Sequence, residues 1–361
     1  MVTEHTFLPD YATAPGVVIE EILEAREMAR VELAERCSLT PKTISMIING
    51  KAPVTPETAI QLERVLGISA SVWNNLESNY RLFLAKGQDI NELERQENWL
   101  QGFSIKELVQ RRWISKGNST AENIAILLNY FGVGTVASWE AKYGNLSVRL
   151  RKSAKYKPTR EALAAWIRKC EIEASNVDTI AYSKENMEHA LSKIRGLSCQ
   201  EPQDFEPQMS QLMANAGVAL VFIGELSGTH LSGATRWLSP NKAMMALSLR
   251  YKTDNHLWFT FFHEAAHIKL HSKKLSFIDG IDNKNDDRQE VEADQFASDY
   301  LISPRAYKRF LKKDTFTADA IRKFADELGI ATGIIVGRLQ HEELLKWNEL
   351  NYLKCKFVLK E

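Results

Sequence analysis

Apolar positions recur at helical spacing along most of this 361-residue chain, and glycine or proline interrupts them often enough to cut it into short helices. Val17 to Met28, Val31 to Arg36 and Pro41 to Asn49 are three such periods, with Thr40 capping the third and Gly50 stopping it. Pro56 opens a fourth, with Ile60, Leu62, Val65 and Leu66 inward and Gly67 at its end. Beyond residue 85 the period continues in Lys86 to Arg112, Thr120 to Phe131, Thr135 to Tyr143, Thr159 to Ile172 and Ser183 to Ile194, broken at Gly132, Gly134, Gly144 and Pro158. After residue 203 the pattern is mixed: Gln208 to Ala216 predicts a helix, while Val218 to Ile223 and Ala243 to Leu249 predict strands. Leu257 to Phe262 is an apolar, strand-like aromatic run expected to bury the back of the helix that follows it. Thr317 then caps a helix through Leu328, stopped by Gly329, and Thr332 starts another reaching Leu345. The expected protein is multidomain and mainly α, with a helical module over residues 1–85, a helical connector over 86–200 and an α+β domain with a small sheet over 201–361.

A tight turn before the third of five short helices is the helix-turn-helix arrangement, whose third helix enters the major groove of DNA. The strongest chemical signal lies elsewhere, in His263-Glu264-Ala265-Ala266-His267 and, after a loop, Glu290-Val291-Glu292-Ala293-Asp294. Residues four apart share a helix face, so His263 and His267 can aim imidazole nitrogens at one ion, with Glu264 beside them taking a proton from water. Zinc bound by two His and one Glu keeps a position open for that water and lowers its pKa towards neutrality. Glu290 is the expected third ligand, and Asp294, one turn on, is expected to fix the tautomer of a ligand histidine. Glu292 faces elsewhere on that helix, and the third histidine of the metzincin pattern is missing, since Lys273 stands at its offset. The bland alternative is a chance HExxH on an amphipathic helix, with 290–294 a solvated face; the preceding apolar run and the second acidic helix favour the site. His271 extends the histidine face by another turn; a packed or solvent-facing role is the plainer reading, beside contact with substrate or an oxyanion. Tyr300 is the other candidate near the oxyanion.

The string Thr260 to His267, then Glu290 to Ala297 and the Leu301-Ile302-Ser303-Pro304 exit, resembles the ImmA/IrrE family of zinc metallopeptidases over about the last 160 residues. The resemblance implies a gluzincin-like fold with zinc, one ion per chain, on His263, His267 and Glu290, and with Glu264 as general base. Ala265 and Ala266 stand where that family often has Leu-Gly or Ile-Gly, a difference confined to helix packing.

Glu32 to Arg36, Thr43 to Lys51, Val54 to Ala59 and Trp73 to Leu76 resemble the XRE helix-turn-helix class, especially HigA-type antitoxins. That implies double-stranded operator DNA as partner, read by a homodimer that also holds a toxin. Lys42, Thr43 and Met46 would meet base edges, Arg30, Asn49 and Lys51 would lie near phosphates, and Thr40 would cap the recognition helix. Ala29 stands where a Ser cap is usual and Ser38 where the turn normally has Gly. Members of the wider ImmA/IrrE group cleave repressors, so the implied substrate is the protein's own linker, a paired regulator or the toxin. The rival reading is a non-enzymatic DNA-binding antitoxin whose zinc site is structural or senses a ligand.

Charge complicates the DNA reading. Residues 1–85 carry seven Lys and Arg against eleven Asp and Glu, so Glu20, Glu21, Glu24 and Glu27 are expected to face away from the recognition side. A helix-turn-helix that binds only protein is the alternative. Residues 141–170 carry nine basic residues against Glu161 alone, and with Tyr143, Tyr156 and Trp166 they raise the possibility of single-stranded nucleic acid, although a solvated basic face is the plainer reading. Whole-chain net charge is zero, and the four scattered cysteines form no CxxC pair, which argues against a disulfide framework or a thiolate metal site. No apolar run approaches membrane-spanning length and Met1 to Pro15 lacks the features of a leader, so a cytoplasmic location with no membrane partner is expected.

Overall fold

The structure, a computed structural model, describes residues 12–144, 159–229, 231–248, 253–271, 286–312 and 315–356, the side chains of Asp286 and Asp287 excepted. Residues up to Leu100 together with Gly117–Ala125 form one compact unit, and Gln101–Lys116 with everything from Ile126 form another.

The first unit contains α1 (Pro15–Ala25), α2 (Arg30–Arg36), α3 (Pro41–Ile48), α4 (Pro56–Leu66), α5 (Ala70–Glu94) and α6 (Glu97–Leu100). The helix-turn-helix core is apolar and local: Ile19, Leu23, Leu33, Ile44, Ile47, Leu62 and Trp73 are buried together. Local chemistry sets its helix ends. The Thr40 hydroxyl accepts from Thr43 N at 3.1 Å, Thr55 does the same for Thr58 at 3.3 Å, and Gly67 ends α4 in the left-handed region. Gly16 is required by a close approach, because a Cβ there would lie 2.3 Å from Ile48 O. Ala29 gives α2 no side-chain cap, and Ser38 in the turn sits at φ 55, the conformation for which Gly is the cheaper residue. The fifth helix is not short; α5 runs 25 residues and passes residue 85 unbroken.

The second unit begins with α7 (Ile105–Gln110); α8 (Thr120–Phe131), which enters it at Ile126, and α9 (Val136–Tyr143) follow. Phe103, Phe131, Trp139 and Tyr143 interlock in tilted and edge-on pairs there. Among the described residues no single helix is long and apolar enough to cross a membrane; α8 and α9 reach that length and composition only as a bent pair, with these rings buried.

Next come α10 (Arg160–Asn176), α11 (Lys184–Gly196) and α12 (Pro202–Ala214), then β1 (Val218–Phe222), β2 (Gly233–Ser239) and β3 (Lys242–Leu247). The sheet order is β1-β3-β2, with β1 parallel and β2 antiparallel to β3. Alternation assigns its faces: Val218, Leu220, Ala243, Met245 and Leu247 join the main core, and α10 packs on the opposite face. Behind the core face stand α13 (Asp254–Leu270), α14 (Asp286–Leu301), α15 (Pro304–Leu311), α16 (Ala318–Leu328) and α17 (Thr332–His341). Thr317 caps α16 and Gly329 ends it in the left-handed region, as expected.

Two expectations for this unit are corrected, and one strand is added to them. The aromatic run Leu257 to Phe262 is no strand: it is the first half of α13 itself. Leu257, Trp258, Phe261, Phe262, Ala265, Ala266 and Ile268 are all buried, so the helix lacks the polar face that makes a helical period visible. Strand β2 was absent from the pattern because an edge strand beginning at Gly233, with several half-exposed positions, carries little apolar alternation. The last helix stops at His341 instead of Leu345, where Glu343 and Leu350 take positive φ values of 61° and 54°.

Candidate functional site

Helices α13 and α14 pack side by side and bring the two motifs together. The Nε2 atoms of His263 and His267 lie 3.0 Å apart, and the Glu290 carboxylate lies 3.2 Å from the first and 3.5 Å from the second. Two ligands about 2.0–2.1 Å from a tetrahedral ion stand roughly 3.3 Å apart, so these three separations suit one small divalent cation. Two imidazoles and a carboxylate are the donor set zinc accepts, and these three residues form the metal-type cluster found among the described residues.

The outer nitrogens are held as well. Asp294 Oδ1 lies 2.8 Å from His263 Nδ1, the position expected for it. His267 Nδ1 lies 3.0 Å from His271 Nδ1, and His271 Nε2 lies 3.5 Å from Glu292. His271 and Glu292 therefore support His267 from behind, a role the sequence reading missed although the i+4 and i+8 spacing from His263 was visible. Tyr300 stacks on Phe262 at 5.0 Å and tilts against Phe296, which makes it a packing residue in this layer. Burial draws the His263 imidazole down, but Asp294 and Glu290 more than offset it and hold it at about 10; burial, then His263 and His271, draw His267 down to about 2. The cluster is thus built around one positive charge, which a proton or a metal ion can supply.

Glu264 is buried and faces β2. Burial raises its carboxyl to about 7 against the opposing pull of His263 and Thr235, with Glu290 adding to the rise. A Cβ on Gly233 would stand 2.7 Å from Glu264 Oε1 and 2.8 Å from its Cγ, so only glycine leaves the carboxylate its place. Gly233 is a second site residue that the sequence reading passed over. Gly233→Ala is expected to destabilise this domain by about 1–3 kcal/mol through the clash with Glu264; unchanged thermal unfolding would show that the carboxylate has room to move.

At the amino-terminal end, α3 buries Ile44, Ile47 and Ile48 and leaves Lys42 and Met46 exposed, with Thr43 half-buried; Asn49 and Lys51, just past its end, are exposed too. The Thr43 hydroxyl lies 2.9 Å from that of Thr40, and Asn49 Nδ2 donates to Ser45 O at 2.6 Å, so both are partly engaged within the helix. Arg30 is ion-paired with Glu20, so part of the charge of this expected phosphate contact is already engaged.

Within the basic segment 141–170, the described residues Arg160, Arg168 and Lys169 are engaged by carboxylates of the protein. Arg160 pairs with Glu140 and Glu161, Arg168 with Glu171, and Lys169 with Glu173. Tyr143 and Trp166 are buried, with Trp166 Nε1 donating to Ile223 O at 3.1 Å, so neither ring is offered for stacking. Arg149, Arg151, Lys152, Lys155, Tyr156 and Lys157 lie outside the described residues.

A helix-turn-helix module and an HExxH-plus-Glu cleft on one chain define a regulator joined to a peptidase-type domain. Comparison with known families agrees: the helix-turn-helix family matches residues 19–73 and a peptidase family described as an IrrE N-terminal-like domain matches residues 223–340. The HTH-type transcriptional regulator YddM of Escherichia coli is 38% identical over 82 residues, spanning 22% of this chain and 87% of that protein. The chain belongs to the helix-turn-helix transcriptional regulators and carries an IrrE N-terminal-like domain in its carboxy-terminal part. Among solved structures, an antidote protein of a plasmid maintenance system from Nostoc punctiforme is 31% identical, covering 23% of this chain and 92% of its own, with a TM-score of 0.23. An addiction module antidote of the HigA family from Coxiella burnetii is 25% identical (23% and 92%, TM-score 0.22). A Pseudomonas aeruginosa protein in complex with its 18-base-pair operator DNA is also 25% identical (24% and 94%, TM-score 0.23).

Proposed function

We propose that this chain is a DNA-binding transcriptional repressor and antitoxin of a toxin–antitoxin-like operon, carrying a zinc-dependent peptidase that cleaves itself, a paired regulator or a toxin. The observation that carries the enzymatic half is the convergence of His263, His267 and Glu290 within 4.8 Å, with Glu264 buried beside them. Residues 1–85 bind double-stranded DNA as a homodimer, 86–200 connect, and 201–361 hydrolyse. His263, His267 and Glu290 hold the ion, and Asp294 keeps the His263 lone pair turned towards it. Zinc bound there supplies Lewis acidity towards water and the scissile carbonyl. Glu264 accepts the proton of the attacking water and, kept in a dry setting where its acid and base forms are nearly balanced, passes it to the departing amine. Purified protein is expected to carry about one zinc per chain, removable by chelation; failure to retain zinc after reconstitution would discard the peptidase half.

For the DNA half, Lys42 and Met46 are the exposed α3 groups with reach to base edges, while Arg30 and Lys51 lie near phosphates, and Thr40 keeps the helix start in place. Lys42→Ala is expected to weaken binding at one base position by about 1–3 kcal/mol more than at others. A gel-shift or calorimetric series with single base-pair changes reads this directly, and a loss equal across all sites would remove base readout by Lys42.

A further inference from the structure

One turn from the metal-type cluster, α13, α14 and α17 enclose a cavity of about 230 Å³. Its position follows from helix periodicity: Phe259 precedes His263 by four residues on α13, and Ser298 follows Asp294, the partner of His263, by four on α14, so both helices deliver the cavity one turn along from that pair. Phe259 belongs to both places, since it lines the cavity and its ring centroid lies 6.2 Å from that of His263. The walls are Phe259, Leu301, Ile302 and Ile334, and Trp347, 62% exposed, stands at the rim.

The charged groups of the lining are already satisfied within the protein. Arg338 donates to Glu342 at 3.0 Å and to the Ser298 and Ile302 carbonyls, while Glu342 also accepts from the Tyr307 hydroxyl at 2.8 Å. Burial keeps His256 neutral at neutral pH. A charged occupant would have to displace the Arg338–Glu342 pair, whereas an apolar one would replace water against four hydrophobic side chains. Size narrows the occupant further, because pockets for whole drug-sized ligands or cofactors run from about 300 to 1,000 Å³.

We propose that this cavity is the specificity pocket of the cleft and receives one large apolar or aromatic side chain of the polypeptide substrate, next to the bond that is cut. The inference rests on the peptidase reading above, and it adds what that reading leaves open: which residues the substrate must carry. Trp347 closes over the seated side chain. Its segment is held from beneath by the fully buried Gln340, whose Nε2 donates to Glu349 O at 2.8 Å and to the Asn351 side chain at 3.1 Å.

Two measurements test it. Zinc-loaded wild type, given a pool of decapeptides randomised at every position, is expected to prefer Phe, Leu, Met or Trp at one position adjoining the cut. Ser298→Phe, which fills the cavity, should lower kcat/KM for those peptides at least tenfold and leave peptides with Ala at that position within twofold. Trp347→Ala, a change at an exposed ring that the fold tolerates, should raise KM for the large side chains without a matching fall in kcat. A flat cleavage profile, or equal losses for large and small side chains, overturns the proposal. Independently of turnover, N-acetyl-phenylalaninamide should bind the full-length Glu264→Gln protein, read by Trp fluorescence or NMR shifts, and lose that binding when Ser298→Phe is added. Equal binding of N-acetyl-alaninamide overturns the pocket, whereas selective binding without cleavage of any peptide by wild type supports the pocket and overturns the peptidase reading alone.

Discussion

Glu264→Gln is expected to leave zinc content unchanged and to lower peptide cleavage by about 10²- to 10⁴-fold, the range a positioned general base supplies. The carboxylate belongs to none of the converging donor atoms, so its neutral isostere removes proton transfer without removing a ligand. Burial beside Thr235 and Gly233 leaves the amide the same space. The contrast is His267→Ala, which takes away a donor atom and should cost the ion itself. Zinc per chain and a turnover assay on the same preparations separate the two, and a Glu264→Gln protein that cleaves at the parental rate would make the site structural or ligand-sensing.

Gly333→Ala is expected to destabilise the carboxy-terminal domain by about 1–3 kcal/mol, through overpacking where α13 and α17 cross. A Cβ at that position would stand 2.1 and 2.2 Å from the two carboxylate oxygens of Asp254, a side chain only 1% exposed and therefore unable to swing into water. The same change in an Asp254→Ala background should cost much less, the coupling that a double-mutant cycle measures. Asp254 also gives the crossing a pH dependence. Burial raises its carboxyl to about 6, against the lowering influence of Cys355 and Asn255 backbone groups and of Lys354. The unfolded chain titrates near 3.9, so the folded state binds this proton more tightly, and its contribution to stability, full below that value, is lost as pH rises through about 6. Asp254→Asn should therefore gain on wild type in thermal unfolding as pH rises from about 3 to 7, by up to about 3 kcal/mol in all; a constant difference across that range would mean that the carboxyl stays ionised.

How much could be read from the chain depended on whether a signal was local. Helix caps such as Thr40 and Thr317, and terminators such as Gly67 and Gly329, act over a few residues, and the structure bears out the helix ends they mark. The HExxH string and Glu290 were legible because ligand spacing on a helix is itself periodic, and the structure brings their donor atoms together. Elements that owe their form to neighbours were hidden. The first half of α13 read as a strand because the sheet, α14 and α17 surround it, which erases the polar stripe. Gly233 carried no mark of its importance, since what it leaves room for is a side chain 31 positions later. Over 141–170 the described Arg160, Arg168 and Lys169 spend their charge on Glu140, Glu161, Glu171 and Glu173, three of which lie outside the window counted.

Because α13 turns its base towards the sheet, its imidazoles towards α14 and its first turn towards α17, scarcely any of its circumference is left to water. Change along such a rod can be accepted only in small steps, since a shift that suits one neighbour displaces the others. Diversification of the neighbouring cavity would therefore be expected to run through Ser298, Ile334 and Trp347, on the surrounding pieces, while the helix at the centre stays nearly fixed.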